Sequence, residues 1–396
     1  MTARARTTSP SGHGLVVVWG LLARYPYGGV TWQVLHYLAG LRAMGFDVWY
    51  VEDSDSRVYS PTTHCATMEF TENVEFVRRW MEWLGLADRW AFRPPGSTDT
   101  VVGITPGRLS ALYAEADLVI NLCGAQEVRA PEHDAIRNLL YLQTDPVEEQ
   151  VLVAQGDAEV IGRLDAHDVH FAYAENLGAA DCLVPLVRYP WRTTRPPIVL
   201  DWWRANGERP RMVLSTVANW KHSGKDVVWQ GETWHWSKDR EFRRVVDLPG
   251  RSSLPLELAL GSIDEDDLEL VTANGWHVVD SIAEPGEYRS YIRHSAGELT
   301  VAKEQYVRPR SGWFSDRSAC YLAAGRPVIT QDTGFGTYIP TGEGLFAFST
   351  LDEAAAAIEA ISSDYDRHAA AAQEISREYF DAPRVLGRML EEAGVS

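Results

Sequence analysis

Short β-rich apolar runs alternate with segments of helical periodicity along this chain, and the alternation begins twice. The first series starts with an apolar run at 14–19, a glycine- and tyrosine-rich loop, a helical pattern at 31–45 and a second strand at 46–53. This β–loop–α–β order opens a parallel sheet. The series restarts at 211–220. The sequence therefore predicts an α/β protein with two tandem Rossmann-like domains that face each other across a cleft.

The domain boundaries follow from composition. The 396 residues are enough for two to three domains at about 150 residues each. A stretch rich in Pro, Arg and Trp near residue 200 resembles an interdomain linker. We expect a leader at 1–13, an N-terminal domain at 14–190, a linker at 191–210, a C-terminal domain at 211–380 and a final helix at 381–396.

The composition of the leader and the spacing of the cysteines indicate the cellular compartment of the protein. The leader is basic and polar, without the apolar core of a signal peptide, and no apolar run reaches the length of a membrane span. We therefore expect a cytoplasmic protein without a transmembrane segment. The four cysteines have no C-x-x-C spacing, which fits a reducing compartment and no zinc site; they are Cys65, Cys123, Cys182 and Cys320.

The net charge restricts the expected partners. Asp and Glu number 55 against 37 Lys and Arg, a formal charge of −18. A protein this acidic is not expected to bind nucleic acid through its overall field. A polyanionic ligand would need local devices, such as a helix N-terminus and a few lysines or arginines. We therefore predict no nucleic-acid partner, while the oligomeric state stays open.

The strongest motif lies at 308–348, where a loop, a helix, a small-residue turn, a strand and a glycine-rich loop follow one another. The helix opens at Ser315 and Asp316, with Arg317 and Ser318 in its first turn. Free N–H groups at a helix N-terminus suit a diphosphate, and these side chains could add donors. The alternative is an N-cap that opens an ordinary core helix.

This motif and the segment 25–53 resemble the GT-B glycosyltransferases, which use nucleotide-sugar donors. The resemblance implies that the C-terminal domain binds a nucleoside-diphosphate sugar and the N-terminal domain binds the acceptor. It also implies catalysis without a metal, and no cofactor besides the donor substrate. Signature residues of two subgroups are absent: the paired glutamates of retaining members, and an Asp-Gln pair that here reads Gln331-Asp332. The stereochemical outcome therefore stays open.

Basic residues near the motif are candidates for the donor phosphates. Retaining members of the resembled family have basic residues after the first C-terminal strand, where Lys221 and Lys225 lie among tryptophans. Lys303 and Arg310 precede the motif's helix. Solvated lysines on an aromatic hairpin and a charged strand edge are the alternatives. The predicted donor-binding residues are Lys221, Lys225, Lys303, Arg310, Ser315, Asp316, Arg317, Ser318, Gln331, Asp332, Thr333 and Gly334.

An acceptor hydroxyl or amine must lose a proton when it attacks the sugar, so a general base is needed. Asp145, Glu175 and Asp53 each follow a predicted strand, and Asp145 is our first choice. The alternative for Asp145 is a helix N-cap ahead of a proline. The predicted acceptor-binding residues surround the glycine turn after the first strand and are Tyr25, Tyr27, Gly28, Gly29 and Thr31.

The predicted function is a metal-independent glycosyltransferase that moves a hexose or deoxysugar from a nucleoside-diphosphate donor to a small-molecule acceptor. Two alternatives stay open at this point. One is a nucleotide-sugar 2-epimerase of the same fold, which would act on the donor alone. The other is a non-catalytic relative that binds a nucleotide and activates a partner enzyme.

Overall fold

The computed structural model describes residues 13–126, 130–205 and 207–395. Residues 1–12 of the predicted leader lie outside this part of the chain. The described residues form two compact units. The first contains the chain up to Thr144, Gly162–Phe171 and the segment from Ala382 onward, and the second contains Asp145–Ile161 and Ala172–Asp381. The domain boundaries expected from the sequence stay predictions.

The first half of the chain carries a seven-stranded sheet in the order β5-β2-β1-β6-β7-β8-β9, with a small hairpin of β3 and β4. Its strands are β1 (Leu15–Trp19), β2 (Asp47–Glu52), β3 (Val58–Tyr59), β4 (Ala66–Thr67), β5 (Trp90–Phe92), β6 (Leu118–Leu122), β7 (Leu139–Gln143), β8 (Val169–Ala172) and β9 (Arg192–Thr193). Its helices are α1 (Gly28–Ala43), α2 (Thr71–Trp83), α3 (Pro106–Glu115), α4 (Glu148–Gln155) and α5 (Ala158–Asp165). The pairs β1–β2, β1–β6, β2–β5 and β6–β7 are parallel.

The second half carries a six-stranded parallel sheet in the order β14-β13-β10-β15-β16-β17 and a hairpin of β11 and β12. Its strands are β10 (Arg211–Asn219), β11 (Val227–Trp229), β12 (Glu232–Trp234), β13 (Leu256–Gly261), β14 (His277–Asp280), β15 (Ser295–Thr300), β16 (Val328–Gln331) and β17 (Leu345–Phe348). The helices are α6 (Asp239–Arg243), α7 (Glu265–Ala273), α8 (Pro285–His294), α9 (Glu304–Val307), α10 (Asp316–Ala323), α11 (Leu351–Ser363), α12 (Tyr365–Tyr379) and α13 (Ala382–Glu392).

The central strands of both sheets are almost fully buried, as in parallel sheets that helices cover on both faces. The helix α13 returns to the first unit and packs on α1. There a Cβ added to Gly40 would lie 2.5 Å from Leu386 Cδ1, so only glycine permits this approach. In open α/β sheets ligands bind beyond the carboxyl ends of the strands. A ligand site is therefore expected in the loops that follow β7, β10, β15 and β16.

The α/β prediction is confirmed, and most elements lie where periodicity indicated. The elements β5, α3 and α5 were not predicted, because their apolar patterns are short. The segment 298–306 was expected to be a strand, but β15 begins earlier, at Ser295, and α9 follows at Glu304. The strand β15 is buried on both faces but contains polar residues, so a hydrophobicity pattern does not predict it as a strand.

We find no helix in the described ranges that is both long and apolar enough to cross a membrane.

Candidate functional site

Polar groups remain unsatisfied in the first turn of α10. Its N-cap residue, Ser315, makes no capping bond with its side chain. The Ser318 hydroxyl is completely buried and has no hydrogen-bond partner among the described residues. The first N–H groups of a helix also lack intrahelical acceptors and form the positive end of its dipole. This helix terminus is therefore suited to accept phosphate oxygens.

A buried lysine, Lys238, interacts electrostatically with Arg317 in the first turn of this helix. Lys238 is only 7% exposed, and its ammonium group makes no hydrogen bond or ion pair within the described part of the chain. Burial and the Arg317 guanidinium hold the pKa of Lys238 well below its ordinary value, and Lys303 adds to the effect, although Glu298 and Asp145 oppose it. Burying an unpaired ammonium is costly, so this position is suited to an anion supplied from outside the chain.

Asp145, the first choice for a base, belongs to the second unit together with Lys303. Lys303 Nζ lies 3.1 Å from Asp145 Oδ1, and the buried Tyr306 hydroxyl donates to the same oxygen. The Asp145 side chain is 46% exposed. Burial by itself would raise the pKa of this carboxyl, but Lys303 and Tyr306 outweigh it and hold the pKa below its ordinary value.

Trp236 supports the cations of this group. Lys303 Nζ lies 3.0 Å from the centroid of the Trp236 ring, and Lys225 Nζ lies 5.0 Å from it. Lys225 also forms an ion pair of 3.1 Å with Glu148. Burial lowers the pKa of Lys303 to about 8, although Asp145 opposes the shift. The predicted residues Lys303, Lys225 and Asp145 are thus brought together, with Lys238 as a further cation.

Arg317 differs from its predicted arrangement. Its guanidinium points into the second sheet, where it donates to the buried Glu298 carboxylate, to Val217 O at 2.7 Å and to Thr300 Oγ1 at 2.9 Å. These bonds occupy all three guanidinium nitrogens. The geometry therefore supports a role for Arg317 in joining α10 to the sheet.

Lys221 lies outside this cation group. Its side chain is 44% exposed, and its ammonium is paired with Asp264 and, at 2.8 Å, with Asp267. Asp264 is the N-cap of α7, and Asp267 lies in the first turn of that helix. Lys221 therefore stabilises the start of α7, and its charge is already compensated.

The loop before α10 is tied to the loop after β16. The Thr333 hydroxyl donates to Trp313 O at 2.6 Å, and Gly312 N donates to Thr333 O at 2.7 Å. Arg310 NH1 lies 2.9 Å from Asp332 Oδ2, and Asp332 also accepts from Gly334 N at 2.8 Å. These predicted donor residues therefore form one connected group that fixes the approach to α10. Gln331 is likewise engaged at both ends of its amide, because it accepts from Ala302 N and donates to Glu241.

Asp53, in the first unit, is enclosed by its partners. Its side chain is 0% exposed and accepts bonds from Arg93, from Tyr113 at 2.7 Å and from His133 at 2.9 Å. His133 Nδ1 accepts from Ala130 N at 3.1 Å, so Nε2 carries the proton that it donates to Asp53. Burial opposes ionisation, but the His133 and Arg93 bonds hold the pKa of Asp53 below its ordinary value. The arrangement leaves no access for a substrate proton.

Glu175 is also buried and ion-paired, with Arg195. Its backbone N–H donates to Gly312 O at 3.3 Å, which ties it to the loop before α10. A Cβ added to Gly312, whose φ is +78°, would lie 2.3 Å from Asn176 N. Glycine is therefore required where these two segments meet, and this contact favours a structural position for Glu175.

The predicted acceptor residues lie at the start of α1. The rings of Tyr25 and Tyr59 are 5.3 Å apart, and Tyr27 is the N-cap residue of α1, which opens with Gly28 and Gly29. Thr31 is buried, and its hydroxyl donates to Tyr27 O at 2.9 Å. Gly29 is exposed and the two tyrosines are partly exposed, whereas Thr31 is not accessible.

Lys238 is the principal site residue that the prediction omitted. It lies among tryptophans, as Lys221 and Lys225 do, and directly precedes α6. Only burial distinguishes it, and burial is not visible in the pattern. As to metals, we find no group of three or more His, Cys, Asp or Glu side chains arranged to hold an ion in residues 13–126, 130–205 and 207–395.

No protein-family model matches the chain, and no curated protein matches it. Its structure is nevertheless similar to solved glycosyltransferases. An alpha-glucosyltransferase solved with UDP-glucose and DNA containing an abasic site is 13% identical with a TM-score of 0.59, over 96% of this chain and 99% of that one. HepE from Anabaena, solved with UDP, is 12% identical with a TM-score of 0.56, over 96% and 99%. AviGT4, a glycosyltransferase involved in avilamycin A biosynthesis, is 11% identical with a TM-score of 0.54, over 96% of each chain.

At these identities the likeness establishes the fold. The resemblance to GT-B glycosyltransferases is thereby confirmed, and the chain has the GT-B type of α/β architecture. Each of these similar proteins is a glycosyltransferase.

The exclusion of nucleic acid as a partner was wrong. Alpha-glucosyltransferases with this fold were solved in complex with DNA. The formal charge of −18 describes the whole chain. Binding to a phosphate backbone depends on the local field of one surface, which a net charge does not describe.

Proposed function

We propose that this protein is a glycosyltransferase that moves a sugar from a nucleoside-diphosphate donor to an acceptor hydroxyl. The observation that carries the proposal is Lys238, a buried lysine that forms no ion pair with any described residue and interacts electrostatically with Arg317 in the first turn of α10. Ser315 and the unsatisfied Ser318 hydroxyl add donors at the same turn. A diphosphate would supply the missing negative charge.

In this proposal the leaving diphosphate is stabilised by residues of the chain itself. As the bond to the sugar breaks, negative charge develops on the diphosphate, and preorganised positive groups lower the barrier most. Lys238, Lys303 and the α10 dipole provide this charge in the second unit. We therefore propose that turnover is independent of a metal. The fold likeness to proteins solved with UDP or UDP-glucose supports the donor class.

Calorimetry with UDP, TDP, GDP and ADP, with and without EDTA, tests the donor site. We expect one of these to bind, and Lys238→Met to weaken its binding roughly 10- to 100-fold, as expected for bonds to a charged group. Lys221→Met is the matched comparison, because its charge is already compensated by Asp264 and Asp267. Equal losses in both variants, or no binding of any nucleotide, would contradict the proposal.

For the acceptor we propose a small molecule that contacts Tyr25 and Tyr27. Product analysis with the matching nucleotide-sugar, a panel of hydroxylated small molecules and duplex DNA tests this choice. Transfer to the DNA alone would replace the small-molecule proposal. Formation of an epimer from the donor without any acceptor would indicate that the protein is an isomerase. Donor binding without turnover would favour the non-catalytic relative.

A further inference from the structure

Lys303 lies between two negative charges in the proposed reaction. In the structure its ammonium contacts Asp145 at 3.1 Å and the Tyr306 hydroxyl at 3.2 Å, over the face of Trp236. The unpaired Lys238 is in its electrostatic neighbourhood. A diphosphate attracted to Lys238 would therefore compete with the Asp145 carboxylate for Lys303.

We propose that Asp145 holds the Lys303 ammonium in the empty donor site and releases it to the donor diphosphate, so that the freed carboxylate can accept the acceptor's proton. This inference rests on the proposed function. It makes the base available only when the donor is bound, which would limit wasteful chemistry in the empty site.

The step is balanced as a group transfer. The acceptor oxygen forms a bond to the anomeric carbon of the sugar, and the bond from that carbon to the diphosphate oxygen breaks. The bonding electron pair leaves with the nucleoside diphosphate, whose charge Lys238 and Lys303 compensate. The acceptor's hydroxyl proton moves to an Asp145 carboxylate oxygen, so no further reactant is required.

The backbone keeps Asp145 in place when Lys303 is withdrawn. Two residues later, Val147 has φ 93° and ψ −52°, a strained conformation for a β-branched residue. It is held there because its N–H donates to Gln150 Oε1 at 2.8 Å and its side chain packs in the cluster that contains Tyr306 and Trp236. The backbone two residues after Asp145 is therefore fixed by contacts that do not involve the Lys303 ion pair.

The electrostatics favour the exchange. A diphosphate carries more charge than one carboxylate and can bridge Lys238 and Lys303 together. Burial by itself would raise the pKa of Asp145, and Lys303 is the largest of the effects that lower it. Withdrawal of Lys303 therefore raises the proton affinity of the carboxylate, which makes it a better base.

Calorimetric titration of the nucleoside diphosphate into Asp145→Asn tests the competition. Without the carboxylate, Lys303 is free for the ligand, and we expect binding to tighten roughly 3- to 30-fold. Glu148→Gln is the matched control, because it removes a nearby carboxylate paired with Lys225 instead. In a Lys303→Met background the Asp145→Asn change should tighten binding no more than Glu148→Gln does.

Turnover is the second readout. Asp145→Asn should lose roughly 10²- to 10⁴-fold in kcat, the usual contribution of a general base. Asp145→Ser serves as a second variant, and thermal unfolding verifies that each variant folds. Unchanged affinity, equal tightening by Glu148→Gln, tightening that persists without Lys303, or retained kcat would each overturn the inference. Failure of the wild type to bind any nucleotide would instead refute the proposed function.

Discussion

Asp53 and Asp145 occupy equivalent positions in sequence and opposite environments in structure. Each follows a parallel strand, β2 or β7, and each was a candidate base. Asp53 is 0% exposed and enclosed by Arg93, Tyr113 and His133. Asp145 is 46% exposed and held from one side by Lys303 and Tyr306.

These environments suit different roles. Asp53 stabilises the fold, whereas Asp145 is accessible enough to serve as the proposed base. A buried carboxylate surrounded by donors keeps its charge but cannot meet a substrate. An open carboxylate with a single cation can exchange that cation for another anion. The five predictions that follow begin with the largest effect, and each tests this contrast.

Replacing Asp145 with Asn should abolish most turnover while leaving the fold intact. We expect kcat to fall roughly 10²- to 10⁴-fold, and the free energy of unfolding to fall by less than in Asp53→Asn, because the Asp145 side chain is 46% exposed although Lys303 is only 11% exposed. Steady-state kinetics and urea unfolding of the same preparation measure both. A large loss of stability would remove the contrast with Asp53.

Replacing Asp53 with Asn should reduce the stability of the fold and leave nucleotide binding unchanged. The change removes a buried carboxylate that pairs with Arg93 and accepts the His133 Nε2–H bond, so we expect the free energy of unfolding to fall by about 3–5 kcal/mol. Urea unfolding measures the loss, and nucleotide affinity of the fraction that remains folded should be unchanged.

The same variant should alter acid unfolding. Because the pKa of Asp53 is lower in the folded protein, its contribution is complete above the ordinary aspartate pKa and is lost as the pH falls through the folded value. The free energy of unfolding should therefore fall less between pH 6 and pH 2 in Asp53→Asn than in the wild type. An equal fall in both proteins would indicate that Asp53 is not ionised in the folded protein.

Nucleotide affinity should depend on the charge of Lys303. Its pKa of about 8 means that the ammonium is present below pH 8 and is lost above it. We expect affinity to decline as the pH rises past 8, by up to roughly tenfold per pH unit. Lys303→Arg should move this decline to higher pH, as calorimetry from pH 7 to 10 would measure. A decline that is unchanged in the arginine variant would assign it to another group.

The smallest effect should come from Glu132, which pairs with Arg93 from the outer side of the Asp53 network. Its side chain is 21% exposed, so water can replace part of the ion pair. We expect Glu132→Gln to cost about 1 kcal/mol or less in urea unfolding. A loss as large as that of Asp53→Asn would mean that the whole network acts as one unit.

Most of the fold could be predicted, because the parallel strands are apolar and their helices keep a helical period. The elements that were missed are short, such as β5, or carry buried polar residues, such as β15 with Glu298. The loop, helix and strand at 308–348 were recognised because their order alone is distinctive. Site residues were less accessible to prediction. Ser315 and Ser318 lie at the start of α10, where the anion site is proposed, whereas Arg317 points into the sheet.

The sequence by itself determined the alternation of strands and helices, the GT-B type of fold and the stretch of chain that contains the proposed donor site. Those properties depend on local periodicity and on residue order. Only the tertiary structure decided which charges are compensated. Lys221 and Lys238 are both lysines among tryptophans, but Lys221 pairs with two aspartates, whereas Lys238 is buried and forms no ion pair within the described ranges. The pairing of charges depends on residues far apart in the chain, and desolvation depends on everything packed around them.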